Sequence, residues 1–225
     1  MYTYYIIVLT LEKFSFWIIL LGIIGVVQKR QQGELPEWRK RTLTKEQQAL
    51  VNMQYQAYKK DIYKNYPRVE QFEWNKKVWA GCLSFLVFLA MVLNFSRVPA
   101  TMFSIGVGII LCLFGYLIVF GVFATVMGPK RQYTFVLYVI AFEPVISFWR
   151  MMGSWGRVLD FFKYNIADFR YTPLQIGSVV LPLINGVLTL LTAVWLTAFK
   201  RNRELAQQSE ELNTQINNDF TPTGI

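Results

Sequence analysis

The stretch "ATMFSIGVGIILCLFGYLIVFGVFATVM", residues 100–127, runs 28 positions without one Asp, Glu, Lys or Arg. An uncharged apolar run of 18 residues or more is long enough to cross a hydrocarbon core of about 30 Å as a helix. Only a helix or a closed barrel satisfies every backbone polar group there. This run exceeds what a perpendicular crossing needs, so the helix tilts or projects beyond the bilayer. Its residues Ser104, Gly108, Cys112 and Gly115 put small side chains at spacings of four and three, a ladder that admits a close-packed neighbouring helix. That neighbour belongs either to the same chain or to another subunit.

Working outward, four further apolar segments complete a predicted set of five: Tyr4–Val27, Val78–Phe95, Tyr133–Trp149 and Ile176–Phe199. The expected fold is therefore all-α: a polytopic transmembrane helical bundle flanked by amphipathic interfacial helices. The first segment is interrupted by Glu12 and Lys13. Either the whole stretch crosses with a polar pair in its outer half, or only Phe14–Val27 crosses, or it does not cross and four spans remain. The chain then divides into residues 1–27, a basic segment 28–77, a four-span core 78–199 and a tail 200–225.

Composition agrees. Of 225 residues, 54% are hydrophobic and 16% charged, against about 25% charged in soluble domains. The formal charge of +9 sits mostly beside apolar segments, so membrane topology and anionic headgroups explain it without nucleic acid. Segment 28–77 holds 12 Lys/Arg, "GPKRQ" two and "KRNR" three; the opposite side holds six. This bias of 17 to six places 28–77, the 128–132 turn and the C-terminus on the cytoplasmic side of a bacterial inner membrane or an organellar one, and the N-terminus outside.

The connecting segments carry their own signals. In "TKEQQALVNMQYQAYKKDIYKNY", residues 44–66, Thr44 and Gln47 form a capping box. Val51, Tyr55, Tyr58 and Ile62 then mark one helical face, and Pro67 closes the helix. Its other face is basic. It suits a helix lying on the membrane surface with anionic lipid, docked on a partner, or packed on the chain's own loops. In the outer loop, Trp155, Leu159, Phe162, Ile166 and Phe169 predict an interfacial helix over 154–169. The tail offers only Leu205, Leu212 and Ile216, too few heptads for a coiled coil, and reads as frayed and solvated.

Chemistry-bearing residues are sparse. The chain has no histidine, which excludes His-ligated metals and Ser-His or Cys-His nucleophile pairs. Cys82 and Cys112 each fall inside a predicted span. No phosphate loop, dinucleotide fingerprint or zinc pattern occurs. Neither a catalytic set, nor a metal site, nor a cofactor is expected.

One anomaly remains. In "AFEPVISFWR", residues 141–150, Glu143 stands in an apolar run beside Pro144. An ionised acid at that depth costs a few kcal/mol, so it must be protonated, paired or facing water. Pro144 kinks the helix and frees the carbonyl of residue 140. On the fifth span, Asn185, Thr189 and Thr192 form one polar stripe below a second kink at Pro182. Lys13 is another candidate partner for Glu143. These residues define an intramembrane polar site. The reading that follows is a non-catalytic membrane subunit that packs into, or helps assemble, a larger complex with other membrane subunits. The alternative is a small oligomeric channel or transporter with Glu143 and Asn185 lining its path.

Overall fold

A computed structural model describes residues 2–30, 43–94, 102–128, 133–153 and 173–223. The predicted interfacial helix 154–169 lies outside the described residues. Among the described residues the chain is all-helical. The helices are α1 (Tyr2–Arg30), α2 (Lys45–Lys64), α3 (Pro67–Asn94), α4 (Met102–Val126), α5 (Val136–Met152), α6 (Pro173–Thr197) and α7 (Lys200–Asp219).

Among the described residues three helices are long and apolar enough to cross a membrane, over Pro67–Leu93, Gly106–Val126 and Ile176–Thr197. The apolar parts of α1 and α5, Phe14–Val27 and Val136–Trp149, are shorter. Of the five expected crossings, length and composition support three among the described residues. The α1 backbone is nonetheless one uninterrupted helix through Glu12 and Lys13, because a polar pair changes the environment a helix prefers without breaking its hydrogen bonds.

The five apolar helices pack in the order α1–α4–α3–α6–α5. Contacts along each pair give the directions. Lys76 meets Gly128 and Phe88 meets Tyr116, so α3 and α4 are antiparallel. Phe72 meets Trp195 and Leu93 faces Gly177, so α3 and α6 are antiparallel too. Tyr138 bonds Thr197 at 2.6 Å while Ala141 and Pro144 face Gly186, which sets α5 against α6. At the other end, Phe14, Trp17, Leu20 and Ile24 bury one stripe of α1. Trp17 meets Phe123 with ring centroids 5.5 Å apart.

Small residues decide how close these helices come. A Cβ on Gly115 would lie 1.6 Å from the Phe14 ring, so the missing side chain is the slot that seats α1. Cys112, one turn earlier, is fully buried. The Gly115 rung of the ladder thus serves packing within the chain; the side chain of Ser104 lies outside those described.

Two expectations change at the basic end. The α3 helix begins at Pro67, where hydropathy alone starts the span at Val78. Hydropathy marks the hydrocarbon slab, whereas the helix continues through polar residues that favour it equally. The tail is not frayed. After a break at Phe199, whose backbone is extended at φ −79° and ψ 120°, α7 runs 20 residues back along α2. Its Leu212, Ile216 and the following Phe220 pack on Val51, Tyr55, Tyr63 and Val69, with Leu205 at the edge. Two stripes, each too short to be stable alone, bury one another. The capping box at Thr44 forms as the sequence predicts, with Gln47 N donating to Thr44 Oγ1 and Thr44 N to Gln47 Oε1. The apolar face of α2 therefore packs inside the chain, leaving its basic face outward.

Candidate functional site

The polar-site residues with described side chains lie on the adjoining helices α5 and α6. At about 100° per residue, Gly177 and Gly186 point to opposite sides of α6. Gly177 faces α3 and Gly186 faces α5. The stripe of Asn185, Thr189 and Thr192 lies between those directions and is turned away from exposed Ile184, Val187 and Leu191. All three polar residues are buried. A Cβ at Gly186 would come within 2.8 Å of the Ala141 carbonyl oxygen and 3.3 Å of Pro144 Cγ. That glycine lets α5 and α6 touch backbone to side chain beside the polar stripe.

The stripe is only partly satisfied. Thr192 donates its hydroxyl to the Leu188 carbonyl at 2.8 Å. Asn185 Oδ1 and Thr189 Oγ1 are buried without a hydrogen-bond partner among the described residues. Leaving such a group unpaired costs about 1–3 kcal/mol each. Pro144 adds another acceptor nearby, because the Ile140 carbonyl loses its usual helical donor.

Glu143 is half-buried on α5, and its Oε1 accepts the Ser147 hydroxyl at 2.5 Å. The helices carrying Glu143 and Asn185 do adjoin, but Asn185 Oδ1 takes no bond from across the crevice. Ser147 was open to sequence reasoning, since it stands at i+4 from Glu143 and that spacing stacks two side chains on one helix face. The Lys13 side chain lies outside those described.

A second polar cluster, which sequence reasoning missed, ties α2, α3, α4 and α7 together at the basic end. Lys76 is 4% exposed and pairs with Glu73 at 2.5 Å. Its Nζ also donates to the Gly128 carbonyl at the end of α4 and sits 5.0 Å from the Phe72 ring centroid. Ser209 of α7 donates to Glu73 Oε1 at 2.5 Å. Asn213 donates to Tyr63 Oη at 3.0 Å and to the Ser209 carbonyl at 2.7 Å. Lys59 donates to Asn213 Oδ1 at 2.7 Å. Burial, together with the nearby Glu73 charge, pushes the Tyr63 phenol above its usual range. The available signal was the Glu73–Lys76 pair at i,i+3; its tail partners are more than 130 residues away.

Both cysteines are free, Cys82 exposed and Cys112 buried. Among the described residues no three His, Cys, Asp or Glu side chains cluster as metal ligands would. Compared with known protein families, curated proteins and solved structures, the chain matches none of them.

Proposed function

We propose that this chain is a non-catalytic integral membrane subunit that packs into, or helps assemble, a larger membrane complex. The observation that carries this reading is the shortness of α5, at one end of the packing order, together with the polar interruption of α1 at the other. The apolar part of α5, Val136–Trp149, and the charge-free run of α1 that follows Lys13, Phe14–Val27, each reach about 21 Å at the helical rise, against a hydrocarbon core of about 30 Å. A short span is accommodated by thinning the bilayer, by flanking residues reaching the interface, or by association with other helices. Both helices also present exposed apolar residues outward, Ile19 and Ile23 on α1 and Phe142 and Ile146 on α5. Neighbouring subunits at these two ends relieve the mismatch.

In this reading all five membrane helices cross, the N-terminus lies outside and the α2–α7 cluster faces the cytoplasm or its organellar equivalent. Photo-crosslinking residues at Ile19 and Ile146, with Leu117 of α4 as the reference, test the idea in native membranes. Defined adducts with unlike membrane proteins at both ends are expected. Labelling of lipid alone at both ends would remove the proposal.

A second reading rests on the unpartnered Asn185 Oδ1 and Thr189 Oγ1. Two buried acceptors beside a kinked helix suit a polar solute or ion, and Glu143 on the adjoining helix would complete a path for a small oligomeric channel or transporter. Flux through liposomes that is lost in Asn185→Leu, with assembly intact, would favour it.

A further inference from the structure

A cleft of about 720 Å³ opens between α2, the first turns of α3 and the end of α4. Four lysines line it: Lys59 and Lys60 from α2, Lys76 and Lys77 from α3. Two acids, Glu70 and Glu73, also line it, leaving a lining charge of +2. Glu73 is already engaged by Lys76 and Ser209. Toward the opening lie exposed Lys60 and Lys77, set against Glu70, with the Lys59 ammonium bonded to Asn213 on the wall. Tyr63 and Asn213 add polar groups on the wall.

The cleft also has a depth. Trp74, 65% exposed, shares its rim, and Val78 follows Lys77 as the first exposed apolar residue of the span. A tryptophan beside the start of an apolar helix marks headgroup level. We propose that this cleft binds a phosphate-bearing anion, with Lys59, Lys60 and Lys77 holding the phosphate. Lysine ammonium groups recognise phosphate as point charges with several donors each. The source is either a lipid headgroup or a soluble phosphate ester. The assignment holds whether or not the chain joins a larger complex.

The test uses the full chain in nanodiscs containing phosphatidylglycerol and phosphatidylcholine, with lipids retained on gentle release counted by native mass spectrometry. Thermal shift with inorganic phosphate forms the second arm. The variant Lys59→Gln with Lys60→Gln and Lys77→Gln is compared with a charge-matched control, Lys45→Gln with Lys64→Gln and Arg68→Gln, outside the cleft. Phosphatidylglycerol should be retained by the wild type and control, and weakened about fivefold for each cleft lysine removed. The single variant Lys60→Gln, at an exposed position, reads the same effect if the triple variant does not fold. Selective lipid retention assigns a headgroup; stabilisation by phosphate without lipid selectivity assigns a soluble ester. Equal losses in control and cleft variants, or no preference in the wild type for either anion, would overturn the site.

Discussion

At the basic end, Tyr63, Glu73, Lys76, Ser209 and Asn213 bring polar groups out of water and join every one of them to another. At the α5–α6 crevice, Asn185 and Thr189 are buried just as deeply, and each keeps one oxygen without a partner. The difference lies in where the partners come from. The basic-end cluster draws on four helices, including a tail that folds back, so donors and acceptors can be matched. The crevice draws on two proline-containing helices whose nearby polar groups bond within their own helix, Thr192 to the Leu188 carbonyl and Ser147 to the Glu143 carboxylate. A satisfied network holds helices together; the unsatisfied pair leaves two buried oxygens unbonded among the described residues.

The largest expected effect breaks the satisfied side. Lys76→Met leaves Glu73 buried with an uncompensated charge, and should lower stability to unfolding in detergent by about 3–5 kcal/mol. Adding Glu73→Gln should restore much of that loss. If the double variant were no better than the single one, the stranded Glu73 charge would not be the cause of the loss.

Next in size is Gly186→Ala. Its new Cβ would press on the Ala141 carbonyl at 2.8 Å, a backbone atom that cannot turn aside. Separating α5 from α6 should cost about 1–3 kcal/mol, read as a lower melting temperature.

The pH response sharpens the comparison further. Tyr63 has a raised folded pKa relative to its ordinary value of 10.0. Above that value the unfolded chain loses the phenol proton before the folded one does. Stability from the neutral phenol is therefore complete below pH 10 and lost as pH rises through the folded value. Alkaline melting curves should decline in the wild type and decline less in Tyr63→Phe.

On the other side of the comparison, Thr189→Val removes a buried hydroxyl that has no partner while keeping its shape. It should be neutral or stabilising by up to about 1 kcal/mol, whereas Ser209→Ala, losing a bond to Glu73, should destabilise by about 1–2 kcal/mol. A destabilised Thr189→Val would mean that the crevice oxygen is engaged in the native membrane.

Much of the fold was legible because charge-free runs are long and unmistakable. Residues 100–127 demanded a membrane helix, and Thr44 with Gln47 announced where α2 begins. The tail was misread for a physical reason: Leu205, Leu212 and Ile216 are too few to form a helix pair by themselves, and their match to Val51 and Tyr55 is a long-range event no local pattern encodes. The polar stripe on α6 was visible as spacing, and so was the chance of contact between α5 and α6. What spacing could not tell is rotation about each helix axis. That rotation turns Gly186 toward Ala141 and leaves Asn185 beside the contact instead of in a bond with Glu143. The Phe14–Gly115 fit was half legible, as a small residue waiting for an unidentified ring.

The most direct measurement is the native mass of the gently solubilised protein, with wild type and Glu143→Gln side by side. A subunit reading predicts unlike membrane proteins in fixed ratio, unchanged in the variant, because glutamine can still accept the Ser147 hydroxyl. A homo-oligomer free of other proteins would contradict it and send attention to the α5–α6 crevice as a path.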